Sequence, residues 1–383
     1  MPFLTDRLQD TQRREGLAHA LAAENTTDVS QLHKPKQTSF LNSRFSFDLA
    51  AIEAELRASI VGQSLAISEL MNVLSVVRAD IGDPRKPLAS LLFCGPTGVG
   101  KTETVRTLAR ILHGDADAMC RIDMNTLSQE HYAAALTGAP PGYVGSKEGM
   151  TILDQEKIEG SHTLPGIVLF DELEKASDQV IMALLNVLDN GILTTASGER
   201  TYSFRNSLIF MSSNLGAREL QGLADQGATA PSGLTQRLRQ IANRVTFRSR
   251  DRRHVAREIV TECLLKRFPP EFVNRIDHIE AFDWIDAGDM PKLVAVELAR
   301  LNRRLLKHEC IVEIDGDVAD FIATRGFDPR FGARGLRRAM RQHLEFPLAE
   351  YLLALSAERD AAKVNVLVLK ARLNGDRLNF GPS

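Results

Sequence analysis

From Phe47 onward the chain carries apolar residues at helical spacing, first in FDLAAIEAELRASIVG and then in SLAISELMNVLSVVRAD. Short apolar runs come next, alternating with further helical stretches. The runs SLLFCG, AMCRIDM, GIVLFDE and NSLIFMSSN are nearly continuous in apolar residues. A strand reads this way when helices cover both faces of its sheet, so the alternation predicts a parallel α/β sheet with helical layers on either side. GILTTASGERTYSF places a Ser-Gly turn between β-prone arms and predicts a hairpin. After Asp283 the pattern changes to helices, DMPKLVAVELARLNRRLLKH and LRRAMRQHLEFPLAEYLLAL, separated by strand-like pieces such as CIVEI and VNVLVL. Residues 1–45 lack sustained periodicity, and HKPKQTS reads as a linker. The expected organisation is a flexible or partner-binding segment over 1–45, a large α/β domain over 46–283 and a smaller, mostly helical domain over 284–383. No repeat of fixed period is visible.

Composition narrows the function classes. With 383 residues, 44% of them hydrophobic, the chain can bury more than one core. The 47 basic residues nearly balance the 49 acidic ones, for a net charge of −2, so no whole-protein field draws it to DNA or to an anionic membrane. Cys94, Cys120, Cys263 and Cys310 show neither CxxC nor CxxH spacing, which argues against a zinc site or a disulfide framework and for a reducing, cytoplasmic setting. No apolar run has signal-peptide or membrane-spanning character, so no membrane association is expected.

The candidate chemistry begins where SLLFC runs into GPTGVGKT and then into TETVRTLARIL. A glycine-rich loop between a strand and a helix aims unpaired N–H groups and the helix dipole at phosphates, so Gly95, Pro96, Thr97, Gly98, Val99, Gly100, Lys101 and Thr102 form a candidate ATP site. Lys101 would reach the β- and γ-phosphates, and the Thr102 hydroxyl would ligate Mg²⁺. GIVLFDE ends an apolar strand in two acids, Asp171 to anchor Mg²⁺ and Glu172 to polarise the attacking water. NSLIFMSSN ends in Asn214, whose amide could hold that water near the γ-phosphate.

The order of these motifs resembles that of the AAA+ ATPases, and within them the C-terminal ATPase ring of the Clp-type unfoldases and disaggregases. The resemblance spans roughly residues 58–355, through VGQ at Val61, GAPPGYVG over Gly138–Gly145, FDELEKA at Phe170, SSNLG at Ser212, EFVNRID at Glu271 and FDPRFGARGLRRA at Phe327. It implies a P-loop NTPase domain with a three-layer parallel sheet and a helical lid. It also implies roles: Ile60 and Val61 line the adenine pocket, Asn214 is sensor 1, Arg334 is sensor 2, and Arg275 is an arginine finger reaching the neighbouring subunit's site. A finger supplied in trans implies a homo-hexameric ring. Gly142, Tyr143, Val144 and Gly145 resemble the family's pore loop, in which an aromatic grips an extended protein substrate.

The chain also departs from that family. It carries one ATPase module, no coiled-coil insert and no globular domain before residue 45, so autonomous disaggregation is not expected and an adaptor could dock on residues 1–45. MTILDQEKIEGSHTLP, Met150 to Pro165, replaces the family's usual helix with its basic run, and the stretch Gly222 to Arg257 is longer and more basic than usual. Ser232-Gly233-Leu234 poorly matches the tripeptide of peptidase-docking members, so the Clp peptidase is not an expected partner. Two rival readings stand beside a threading motor. One is a nucleic-acid remodeller using Arg237, Arg239, Arg244, Arg248, Arg250, Arg252, Arg253 and Arg257, although such a run is more often a solvated face or subunit interface. The other is an ATP-driven switch acting on one partner complex.

Overall fold

A computed structural model describes residues 41–127, 152–194, 200–224, 249–327, 332–358 and 367–382. The chain divides into Met1–Asn42 and Ser43–Ser383, and nearly all the described residues belong to the second unit.

Two helices open that unit. Leu49–Ser59 starts at Asp48, whose carboxylate accepts from Ala50 N at 2.9 Å and Ala51 N at 3.3 Å, and Ser64–Ala79 comes after it. Five parallel strands then form the central sheet: β1 (Ala89–Cys94), β2 (Cys120–Asp123), β3 (Gly166–Asp171), β6 (Ser207–Ser213) and β7 (His278–Ala281). Their order is β2-β3-β6-β1-β7. Four are the runs singled out by their apolar character, whereas β7 is too short and too polar to be visible as one. β1 shows why these runs are continuous: Leu91 and Phe93 enter one core while Leu92 and Cys94 enter the other, so every position is buried. The hairpin pairs β4 (Ile192–Thr194) with β5 (Thr201–Ser203), antiparallel; its turn, 195–199, lies outside the described residues.

Beyond β7, helices Met290–Leu305, Gly316–Gly326, Ala333–Met340 and Phe346–Glu358 accompany a three-stranded sheet of β8 (Cys310–Ile314), β9 (Leu367–Asn374) and β10 (Arg377–Pro382). The second half of this region is less regular than its periodicity predicts. LRRAMRQHLEFPLAEYLLAL is interrupted by a π-helical turn at Arg341–Glu345. Pro347 supplies the reason: it has no N–H and its ring conflicts with the carbonyl four residues earlier, so the preceding turn widens. The core on the Leu91 and Phe93 side of the sheet continues without a break into this region, from Phe45 and Phe47 through Ile285 and Leu293 to Leu369 and Leu378. Among the described residues no helix is long and apolar enough to cross a membrane.

Candidate functional site

The strands β1, β3 and β6 all end on the same side of the sheet, and the chain leaving each of them contributes to one cavity of about 290 Å³. At β1 the loop Gly95–Gly100 turns into the helix Lys101–His113. Only glycine fits at Gly95: its φ is 142°, and a Cβ would stand 2.4 Å from the Phe282 carbonyl oxygen. Gly100 caps the helix with φ 110°. Thr97 to Thr102 line the cavity together with Ile60 and Val61, whereas Gly95 and Pro96 do not.

Lys101 is buried, and its ammonium donates to Gly95 O at 2.6 Å, Pro96 O at 2.7 Å and Asn214 Oδ1 at 3.0 Å. Burial pulls its pKa down to about 8, with Arg334 pushing the same way and Glu174 and Asp171 opposing. Asp171 ends β3, buried, with Thr102 Oγ1 at 3.3 and 3.4 Å from its two oxygens. One of those oxygens accepts from Ser212 Oγ, the other from Arg121 Nη2 at 2.6 Å. A hydroxyl and a carboxylate held this close, beside a loop of phosphate-directed N–H groups, form a donor set that suits a Mg²⁺ ion bound with a nucleotide; Arg121 would yield its oxygen to the ion. Glu172 comes next in left-handed backbone, φ 58° and ψ 50°, an uncommon conformation for glutamate, with its N–H donating to Ser212 Oγ at 3.1 Å. Ser212 thus ties both acids to β6.

At the end of β6, Glu174 orients Asn214. Its carboxylate accepts from Asn214 Nδ2 at 3.0 Å, Asn214 N at 3.3 Å and Ser213 Oγ at 2.8 Å, leaving Asn214 Oδ1 for Lys101. The lid closes the cavity from the other side. Ala333 N donates to Gly98 O at 3.1 Å, and Arg334 lines the cavity. Arg300, on Met290–Leu305, bridges Glu103 at 2.5 Å and Glu297 at 2.9 Å, and Arg337, on Ala333–Met340, reaches Glu297 at 3.0 Å and Glu103 at 3.7 Å, so charged pairs join the P-loop helix to these two lid helices.

Of the residues expected at the site, the fold therefore gathers Ile60, Val61, Thr97 to Thr102, Asp171, Glu172, Asn214 and Arg334 around one cavity. Arg275 is elsewhere: it comes after the short helix Pro270–Val273, is half exposed, and pairs through Nε with Asp189 Oδ1 at 2.8 Å. Gly142 to Gly145 and Ser232 to Leu234 lie outside the described residues, as do Arg237 to Arg248 of the arginine run. Sequence reasoning missed Arg121, Glu174, Ser212, Arg300 and Arg337. Glu174 and Ser212 sit inside strings already singled out, FDELEKA and SSNLG, but an orienting hydrogen bond leaves no spacing signal of its own.

Comparison with known proteins agrees with this geometry. Residues 86–279 match the family described as AAA domain (Cdc48 subfamily), and residues 285–366 match the C-terminal, D2-small domain of ClpB protein. The chain is 53% identical, over 99% of both lengths, to an "ATP-dependent protease ATP-binding subunit-like protein AmiB" of Pseudomonas aeruginosa. It is 40% identical to an ATP-dependent protease ATP-binding subunit-like protein of Rhodococcus erythropolis, over 99% of this chain and 98% of that one. Against chaperone protein ClpB of Rhizobium meliloti the identity is 37%, over 87% of this chain but only 34% of ClpB. Among solved structures, the closed state of Hsp104 with ATPγS and FITC casein superposes with a TM-score of 0.69 at 27% identity, covering 87% of this chain and 51% of that one. With a parallel sheet, a P-loop cavity and a ClpB-type lid in one chain, the protein belongs to the Clp-type AAA+ ATPases.

Proposed function

We propose that the protein is an Mg²⁺-dependent, ring-forming ATPase that remodels or unfolds protein substrates by drawing polypeptide past Tyr143. The observation that carries the ATPase chemistry is the convergence, around one cavity, of a buried Lys101, the Thr102–Asp171 pair, Glu172 and an Asn214 held by Glu174. In this reading Lys101 and the loop N–H groups hold the β- and γ-phosphates, and Thr102 and Asp171 hold Mg²⁺, which neutralises charge on the phosphates. Glu172 accepts the proton of the attacking water, Asn214 orients that water, and Ile60 and Val61 contact the base. Arg334 reaches the phosphates from the lid.

Arg275, half exposed and absent from the cavity of its own chain, suits a finger offered to a neighbouring subunit. That reading needs a ring, for which we propose a homo-hexamer, with domains at 46–283 and 284–383 and an adaptor-binding segment over 1–45. The solved Hsp104 neighbours include a complex with casein, which supports a polypeptide as the cargo class. Glu172→Gln tests the chemistry. The amide keeps the shape but accepts no proton, so ATP binding should be retained while turnover is nearly abolished. Equal loss of affinity and turnover would show that Glu172 has a different role.

A further inference from the structure

We propose that Glu69, His278 and Glu280 form a binding site for a divalent transition-metal ion, separate from the nucleotide cavity. The site is assembled from distant parts of the chain. β7 places His278 and Glu280, two residues apart, on one face, while Ile279 between them enters the opposite core. Their register partners on β1 are Leu91 and Phe93, which fixes the face as the one covered by the helix Ser64–Ala79, where Glu69 lies. One ligand atom from each of the three side chains lies within 4.8 Å of the other two. Ligands at about 2.0 to 2.2 Å from a shared ion stand roughly 3 to 4 Å apart, so small carboxylate rotations suffice to close the set.

Burial and donor chemistry favour an ion here. Glu280 is only 5% exposed and is the register partner of Phe93, so an ion held by its carboxylate would sit largely screened from water. Two carboxylates and an imidazole together offer a divalent cation two oxygen donors and one nitrogen donor. An imidazole in the set selects zinc, manganese, cobalt or ferrous ions over magnesium and calcium, and three protein ligands leave a position for water. Asn72 Nδ2 donates to Glu69 Oε2 at 3.4 Å, an outer contact that orients one ligand. An ion would add a second tether between elements already joined by Gln63, which donates to Asp283 O at 2.9 Å and accepts from Asp283 N at 3.1 Å. Cysteine spacing gives no hint of such a site, because it uses no cysteine and its ligands are some 200 positions apart in sequence.

The test is titration of the metal-stripped, nucleotide-free full chain with Zn²⁺, Mn²⁺ and Co²⁺, read by calorimetry, by Co²⁺ visible absorption and by thermal midpoint. About one equivalent should bind with histidine-containing Co²⁺ spectra, and the midpoint should rise with metal concentration. His278→Ala and Glu280→Gln should weaken binding at least about tenfold and abolish the rise, and Lys101→Ala should leave both intact. Glu69→Gln, at a half-buried position, keeps the question open to test if Glu280→Gln does not fold. Substoichiometric binding, or binding and a midpoint rise unchanged in His278→Ala and Glu69→Gln, would overturn the proposal and leave the three residues as an ion-pair cluster.

Discussion

Lys101 concentrates the chemistry of the site in one residue. All three of its ammonium donors are engaged, yet burial loosens its proton, holding its pKa at about 8 rather than at 10.5. A phosphate binds the ammonium and not the amine, so nucleotide binding should raise that pKa and be linked to pH. Affinity is therefore greatest below pH 8 and falls as pH rises through about 8, by up to about tenfold per unit until the bound-state pKa is reached. Titrations of ATP between pH 7 and 9.5 should show this slope in the wild type, and a weak but flat affinity in Lys101→Ala. A flat wild-type profile would mean that Lys101 does not hold phosphate. Asn214 shows a complementary lesson. Its identity suggested a water-orienting amide, but Glu174 and Lys101 together decide which way that amide faces.

At the scale of elements, the segment carrying Arg275 is fastened to β1, the strand beside the β7 edge of the sheet. Asp277 Oδ2 accepts from Ser90 N at 2.8 Å and from Ser90 Oγ at 2.7 Å, and Asp277 N donates back to Ser90 Oγ at 3.0 Å. Asp277→Ala leaves the β1 end without these acceptors and should destabilise the domain by about 1–3 kcal/mol, measurable as a lower denaturant midpoint. An unchanged midpoint would show that the clamp adds nothing to folding. Arg275→Ala should keep the fold and ATP affinity but cut hydrolysis by on the order of 10³ to 10⁵, the range of arginine fingers elsewhere. Mixing Arg275→Ala with Glu172→Gln subunits separates trans from cis action. In a mixed ring, some interfaces pair an intact Glu172 with an intact Arg275, so part of the activity should return. No recovery in verified mixed rings would place the action of Arg275 within its own subunit.

For the whole molecule, the question is whether hydrolysis is coupled to movement of a polypeptide. Tyr143→Ala removes the proposed grip without touching any residue of the nucleotide cavity. Basal ATP turnover should survive, while unfolding of a fluorescent folded substrate should fail; Tyr143→Phe should retain most of it, because a flat aromatic face needs no hydroxyl. If Tyr143→Ala unfolds substrate as well as the wild type, threading is wrong and the single-partner switch moves ahead. The near-neutral net charge offers no support for the nucleic-acid reading, and salt-dependent retention on DNA would be its measurement.

The sequence by itself determined four of the five strands of the central sheet and the strings that come to line the nucleotide cavity. Strands covered on both faces must be apolar throughout, and a phosphate-binding loop requires glycines and a lysine in fixed order, so both requirements act locally and leave local strings. Tertiary structure decided everything that depends on residues meeting across the chain. It gave Ser212 to both Asp171 and Glu172, Glu174 to Asn214, and Asp189 to Arg275. It made β7 a sheet edge although its four residues carry too little pattern to be read as a strand. It ran one core continuously across the boundary that composition places at Asp283. It also brought Glu69 to His278 and Glu280. Hydrogen bonds, ion pairs and ligand sets act over a few ångströms in space whatever the separation along the chain, so no periodicity or spacing records them.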